Sequence, residues 1–264
     1  MTKVSVALLL ALTGCGAFNY EAPDGPRYAG EAPPRASTDG AIRVATFNVR
    51  YAERIDLAIA ELEAAGPFEV VLLQEMDAEG TRRIAEALAM SWVYYPASIH
   101  GERDFGNAVL STLPLLEDHK VVLPHRAPFD GRARVAVTAL LEGPAGPIAV
   151  ASVHDETFLL PLSARLDQAA AIFDDVEARY PVRPSVVAGD FNCVEPEAVS
   201  ATVALAREHG FARAAPGDGE ATADGPLGDV TLDLVFARGL SIEASGVSAS
   251  RGASDHRVVW AALR

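Results

Sequence analysis

From Ala41 to the end of the chain, short apolar runs rich in β-branched residues alternate with stretches whose apolar positions recur every three to four residues. The first kind predicts strands over Ile42–Asn48, Val70–Gln74, Asn107–Ser111, Arg134–Leu141, Ile148–His154, Ser185–Asp190, Leu232–Phe236 and Val258–Leu263. Several are apolar throughout, as strands are when both faces are covered. The second kind predicts helices over Ile55–Ala65, Thr81–Met90, Ser163–Tyr180 and Ala198–His209. In the third helix Leu166, Ala169, Ala170, Phe173, Val176 and Tyr180 share one face, which reads as core. The run Gly143-Pro144-Ala145-Gly146 joins two strands and predicts a hairpin, hence antiparallel pairing. The mixture predicts an α+β fold, with two sheets packed together and helices outside. No repeat or second linker divides the stretch, so 41–264 reads as one domain.

The first forty residues follow a different pattern. Lys3 precedes an apolar run, Val4 to Leu12, which is shorter than the roughly twenty residues needed to span a bilayer. It reads as a signal peptide over 1–14. Leu12-Thr13-Gly14-Cys15 resembles a bacterial lipobox, in which the cysteine receives lipid and becomes the new N-terminus; a buried N-terminal helix or an ordinary cleaved signal are the alternatives. Lipidation of Cys15 implies a bacterial envelope protein, periplasmic or at the cell surface, held on a membrane by its acyl chains. Residues 15–40 are rich in Pro, Gly, Ala and charge and read as a tether. A flexible chain of this length would hold the domain roughly 30 Å from its anchor.

Composition narrows the partners. Half of the 264 residues are hydrophobic, which suits a globular core. Cys193 is the one cysteine besides Cys15, so a lipidated chain forms no internal disulfide. A formal net charge of −14 opposes polyanions, although a basic patch or a bound cation reverses the field locally. Nucleic acid is therefore not the favoured partner, and a monomer is expected.

Candidate chemistry lies where polar residues interrupt apolar strands, because a buried acid or amide is costly without a partner. Asn48 closes Thr46-Phe47-Asn48, and Glu75 closes Leu73-Gln74-Glu75. Either could be a turn former or a ligand. Asp190 and Asn192, in Gly189-Asp190-Phe191-Asn192, leave one strand on the same side, as a site or as an Asx turn. Asp233 stands inside Leu232-Asp233-Leu234-Val235-Phe236, where a carboxylate needs a cation or a histidine. His256, in Ser254-Asp255-His256, can supply that histidine, and His154 ends another strand. This oxygen-rich set suits Mg²⁺, Mn²⁺ or Ca²⁺ and lacks structural-zinc spacing. Hard cations beside histidines suit attack on phosphorus.

In order along the chain, Thr-Phe-Asn-Val-Arg, Leu-Gln-Glu, Phe-Gly-Asn-Ala-Val-Leu-Ser, a strand ending in His, Gly-Asp-Phe-Asn, Leu-Asp-Leu-Val-Phe and Ser-Asp-His resemble the endonuclease/exonuclease/phosphatase superfamily over 42–264. The resemblance implies a deoxyribonuclease-I-like fold, a four-layer α/β-sandwich of two packed mixed sheets flanked by helices. It implies hydrolysis of a phosphate ester by in-line attack of water. Glu75 would be the main ligand of Mg²⁺, with Asn48 and Asp255 at the metal. Asp190 would act on the attacking water, Asn192 would hold a phosphate oxygen, and Asp233 would pair with His256. His154 would bind phosphate or protonate the leaving group. Asn107 would lie near the substrate with Arg134, for whose place Arg132 competes.

Departures from the family pattern are Asp155-Glu156 after His154, Cys193 after Asn192, and Asp77 where nuclease-like members tend to carry Arg. With a basic stretch only at 126–134, a small-molecule or lipid head-group ester is preferred to an extracellular nuclease role. A non-catalytic envelope binding protein is the remaining reading.

Overall fold

The computed structural model describes residues 18–35, 39–225 and 228–264. The expected signal peptide and lipobox, with Cys15, lie outside the described residues.

The strands are β1 (Tyr28–Gly30), β2 (Ile42–Asn48), β3 (Val70–Met76), β4 (Ser91–His100), β5 (Arg103–Ser111), β6 (Leu115–Val122), β7 (Val135–Gly143), β8 (Gly146–His154), β9 (Ser185–Asp190), β10 (Ala212–Ala215), β11 (Ala223–Gly225), β12 (Gly228–Val230), β13 (Asp233–Arg238), β14 (Ile242–Val247) and β15 (Val259–Leu263). The helices are α1 (Ile55–Ala65), α2 (Ala78–Leu88), α3 (Leu162–Arg179) and α4 (Pro196–Glu208).

One sheet runs β1-β4-β5-β3-β2-β15-β14 and the other β10-β13-β9-β8-β7-β6. Both are mixed, since β2 with β3 and β8 with β9 are parallel pairs among antiparallel ones. Val44, Leu72, Val109, Val137, Val150, Val186 and Val235 fill the space between the sheets. A second cluster packs the first sheet on α1 and α2, and a third packs the other sheet on α3 and α4. The molecule is thus an α+β sandwich of four layers, and strands covered on both faces explain the continuous apolar runs.

The predicted strands and helices are all present, with ends shifted by a few residues; Arg134 and Leu232 fall just outside β7 and β13. Strands β1, β4, β6, β10, β11, β12 and β14 lie outside the predicted set, and the two longest of these have visible reasons. Strand β6 carries Glu117, Asp118, His119 and Lys120 in succession, and β4 contains Pro96 at an irregularity in its pairing with β5. The buried stripe of α3 is also rotated from the expected one: Arg165 and Gln168 are buried, whereas Leu166 and Ala170 are only partly so.

The tether expectation needs correction. Residues 18–35 lie on the domain, with β1 paired to β4 and Asn19 bridged to Ser98. The Asn19 side chain donates to the Gly131 carbonyl (2.9 Å) and accepts from the Ala133 amide (2.8 Å). Buried Lys120 donates to the carbonyls of Tyr20 and Gly25, both at 2.7 Å. Proline-rich composition had suggested a flexible spacer, but polar ties and edge pairing order this segment without an apolar stripe of its own. Among the described residues, no helix is long and apolar enough to cross a membrane.

A candidate hydrolytic site at the strand ends

Register brings the candidate residues into two facing rows. In the first sheet, parallel β2 and β3 place Asn48 beside Gln74, so Glu75 follows immediately at the strand end. In the second sheet, His154 pairs with Asp190 across β8 and β9, and Asp190 pairs with Asp233 across β9 and β13. The Gly189 position permits this row, because a Cβ there would lie 2.0 Å from the Val153 carbonyl oxygen. The close approach at this glycine is to the β8 backbone.

Polar ties join the sheets beneath the rows. The Gln74 amide donates to Ser152 Oγ at 3.0 Å, and Ser152 Oγ donates to the Leu73 carbonyl at 3.0 Å. Asn107 donates to the carbonyls of Val135 (3.0 Å) and Ser152 (3.2 Å). Asn107, expected near the substrate, uses its amide hydrogens in fastening the sheets.

Glu75 sits at a break in the β3–β5 register and has φ 58°, a left-handed conformation that turns its side chain out of the sheet. Its Oε2 accepts from the Tyr51 amide at 3.0 Å, and its Oε1 accepts from Asn48 Nδ2 at 3.0 Å. The same Asn48 nitrogen donates to Asp190 Oδ2 at 2.9 Å, while Asn48 Oδ1 is turned toward the Arg50 amide. In this orientation the side-chain nitrogen of Asn48, which was expected at the metal, aligns two carboxylates. Asp255 lies at the rim, with its Oδ2 3.8 Å from Arg50.

Asp190 is buried, with Oδ1 accepting from the Asn192 amide at 2.9 Å. Burial raises its carboxyl, and although the charge of His256 opposes this, the net position is about 7. Asn192 has φ 49°; Arg165 of α3 donates to its carbonyl at 2.7 Å, and its own amide donates to the Asp155 carbonyl at 2.8 Å.

The two histidines are in opposite states. His256 Nδ1 lies 2.9 Å from Asp233 Oδ2, and its Nε2 lies 3.7 Å from Asp190 Oδ2. Burial works against the charge on this ring, but the carboxylates of Asp233 and Asp190 outweigh it and lift the imidazole to about 10. Thr222 Oγ accepts from the amides of Leu232 and Asp233, and Ala223 bridges to His256, so the Gly-rich stretch before β13 braces this pair. His154 is held well below its ordinary value by burial, then by the charges of Arg134 and His256. A guanidinium only donates, so Arg134 at 3.4 Å from Nδ1 leaves the ring hydrogen on Nε2. That Nε2 faces Asp190 Oδ2 at 3.6 Å and Glu75 Oε1 at 3.9 Å.

Arg134 is the arginine facing the site. Glu156 grips it through two bonds, 2.9 and 3.2 Å, and its guanidinium lies 5.1 Å from the Phe105 ring centre. Arg132 bonds His100 instead. Glu156 was visible in the sequence only as a departure after His154; its use is to orient Arg134. Its neighbour Asp155 is buried, with Oδ1 unpartnered, and burial and the charge of Asp190 push its carboxyl well above the usual range. Asp77 caps α2 through the Gly80 amide and pairs with Arg103, and Cys193 is buried against Thr202.

A hard divalent cation takes oxygen donors. Asp190, Asp233 and His256 converge within 4.8 Å, but His256 and Asp233 already satisfy one another, and a doubly protonated ring has no lone pair for a metal. Glu75 Oε1 and Asp190 Oδ2, brought to a single amide nitrogen, with Asp255 at the rim, offer the oxygens such an ion takes. The residues fit.

Acids and amides from one sheet, facing a carboxylate–histidine row from the other, define a deoxyribonuclease-I-like sandwich with its site at the strand ends. The chain belongs to the Endonuclease/Exonuclease/phosphatase family, whose model matches residues 45–256. Among solved structures, it is similar to the endonuclease/exonuclease/phosphatase from Beutenbergia cavernae DSM 12333, at 25% identity and TM-score 0.67, covering 85% of this chain and 71% of that one. The endonuclease/exonuclease/phosphatase from Bacteroides vulgatus shares the fold at 18% identity and TM-score 0.67, covering 85% and 98%. The human Nocturnin catalytic domain with bound sulfate does so at 19% and 0.66, covering 90% and 97%. Comparison with curated proteins finds no match.

Proposed function

We propose that the protein is a divalent-metal-dependent phosphoesterase, a phosphodiesterase or phosphatase acting on a small-molecule or head-group ester by in-line attack of water. The observation that carries this reading is the opposition, across one gap, of Asp190 near neutral and a charged His256. The first is matched to accept a proton from water at pH 7, and the second is matched to stabilise negative charge on the phosphoryl oxygens. Glu75 and Asp255 would hold the ion, which when bound supplies Lewis-acid stabilisation of the phosphoryl centre; Mg²⁺ is the ion proposed. Neutral His154 donates from Nε2 to a phosphate oxygen, and Arg134 adds positive charge behind it. Asn192 keeps Asp190 in place through its backbone amide.

A polynucleotide is disfavoured by how the basic stretch is used. Arg126 pairs with Glu21, Arg132 with Asp130, and Arg134 with Glu156, leaving no row of free cations there to follow a phosphate backbone. We also propose a monomeric envelope protein lipidated at Cys15; radiolabelled palmitate incorporation lost in Cys15→Ser checks the anchor.

The enzymatic test uses the full-length chain in detergent with bis-p-nitrophenyl phosphate and p-nitrophenyl phosphate, under Mg²⁺, Mn²⁺, Ca²⁺ or EDTA. Metal-dependent turnover that disappears in Glu75→Ala and His256→Ala is the expected result. No turnover, together with no metal-induced rise in melting temperature, would leave the binding-protein reading in its place.

A further inference from the structure

Three consecutive residues that are not glycine, Arg50, Tyr51 and Ala52, take left-handed conformations with φ of 44°, 55° and 50°. A run of this kind is strained and persists only where its surroundings impose it. Here Asn48 Oδ1 accepts from the Arg50 amide and Glu75 Oε2 from the Tyr51 amide, both at 3.0 Å. Arg103 donates to the Tyr51 carbonyl at 3.2 Å while pairing with Asp77. The backbone of this turn therefore leans on the catalytic carboxylate, and its effect is to place the Tyr51 side chain at the mouth of the site.

The ring of Tyr51 lies over that of His100, with centroids 4.4 Å apart and planes inclined at 33°. Phe105 stands 5.7 Å from Tyr51 and 5.6 Å from His154. The row runs from a buried catalytic histidine, past a buried phenylalanine, to a tyrosine that is 40% exposed. Burial and the neighbouring charges of Arg132 and Arg134 hold His100 below its ordinary value, and Arg132 donates to its Nδ1. The turn itself is tied into the fold through buried Ala52 and through Arg103, whereas the Tyr51 ring stands at the partly exposed end of the row.

We propose that Tyr51 and His100 form a stacking subsite beside the phosphoryl centre for a planar aromatic group, a nucleobase or an aryl ring, carried by one ester substituent of the substrate. The inference rests on the phosphoesterase reading and narrows its substrate class. Flat π-faces prefer offset stacking on another ring and tolerate any base or aryl group. The platform is one ring long, and Arg132 beside it is engaged by His100 and Asp130, so it suits a single ring in a small ester.

The test is calorimetric binding of phenyl phosphate, thymidine monophosphate and ethyl phosphate to the full-length protein in EDTA, where the metal-dependent hydrolysis proposed above does not proceed. Stacking predicts that the two aromatic esters bind about tenfold tighter than ethyl phosphate. Tyr51→Phe keeps that preference, and Tyr51→Ala and Tyr51→Leu abolish it, the preference being read within each variant as the ratio to ethyl phosphate. A gain for thymidine monophosphate over phenyl phosphate assigns a nucleobase; equality of the two assigns any aryl ring. Equal affinity of all three esters for the wild type, or a preference that survives Tyr51→Ala, overturns the subsite. Because binding is read without turnover, inert p-nitrophenyl substrates would count against the hydrolase reading alone.

Discussion

Replacing Asp233 by Asn removes one charge from the centre of the site and changes almost no volume. Asp233 is fully buried, and its Oδ2 is 2.9 Å from His256 Nδ1; the Asn carbonyl oxygen can still accept that bond. What is lost is the charge that does most to hold the imidazole at about 10 against burial. A rise from 6.5 to that value corresponds to roughly 5 kcal/mol of preference for the charged ring. Breaking a buried pair by removing one partner costs about 3–5 kcal/mol, so the two routes agree. For a chain of this size, the melting temperature at pH 6 should fall by roughly 6–20 °C. The sign with pH follows from a raised histidine. Its stabilisation is complete below 6.5 and is lost as pH rises through about 10, so the gap between wild type and variant must narrow from pH 6 to pH 10. In steady-state assays on bis-p-nitrophenyl phosphate, kcat at pH 8 should fall by about 10²–10³. The alkaline limb of the pH profile should also move from near 10 toward 6.5. A melting-temperature gap that is flat or grows with pH would refute the ion pair, and an unmoved alkaline limb would refute its part in the reaction.

Asp155→Asn should stabilise the protein at pH 8 by roughly 1–3 kcal/mol, because the buried, unpartnered carboxyl costs stability as pH rises above its unfolded value. Thermal melts should show the gain fading below pH 4. Lys120→Met leaves the carbonyls of Tyr20 and Gly25 without their donor, so limited proteolysis should cut the variant within 20–35 at a protease dose that spares the wild type. Burial pushes the Cys193 thiol up to about 12, and a thiol reagent at pH 8 should label it only after denaturation.

The sequence carried the sandwich and the polar row at its strand ends for one physical reason: both depend on strands buried on two faces. An acid or histidine at the end of an apolar run, such as Asp190, Asp233 or His154, stands out against its surroundings. Strands β4 and β6 lacked that contrast. The uses of Asn48, Asn107 and Glu156 were hidden because an amide or carboxylate reads the same whether it meets ligand, backbone or arginine; only the register between sheets decides. Tyr51 left no signal either, since left-handed backbone in a run without glycine has no mark in composition.

The docked N-terminal segment changes what an anchor at Cys15 would mean. The Phe18 carbonyl already accepts from the Ile99 amide, and Asn19 is fastened to the loop between Gly131 and Ala133, next to Arg132 and Arg134. Whatever course residues 15–17 take, three residues reach no further than roughly 10 Å. A lipid at Cys15 would then act as a short mooring with a fixed point of attachment, where a tether would have allowed free rotation. The side of the molecule carrying Asn19 and the loop with Phe129, 85% exposed, would be berthed against the bilayer. Tyr51, over the His100 that bonds Arg132 of that same loop, would then stand close to the bilayer, and bulky polymers would be turned away by the membrane itself.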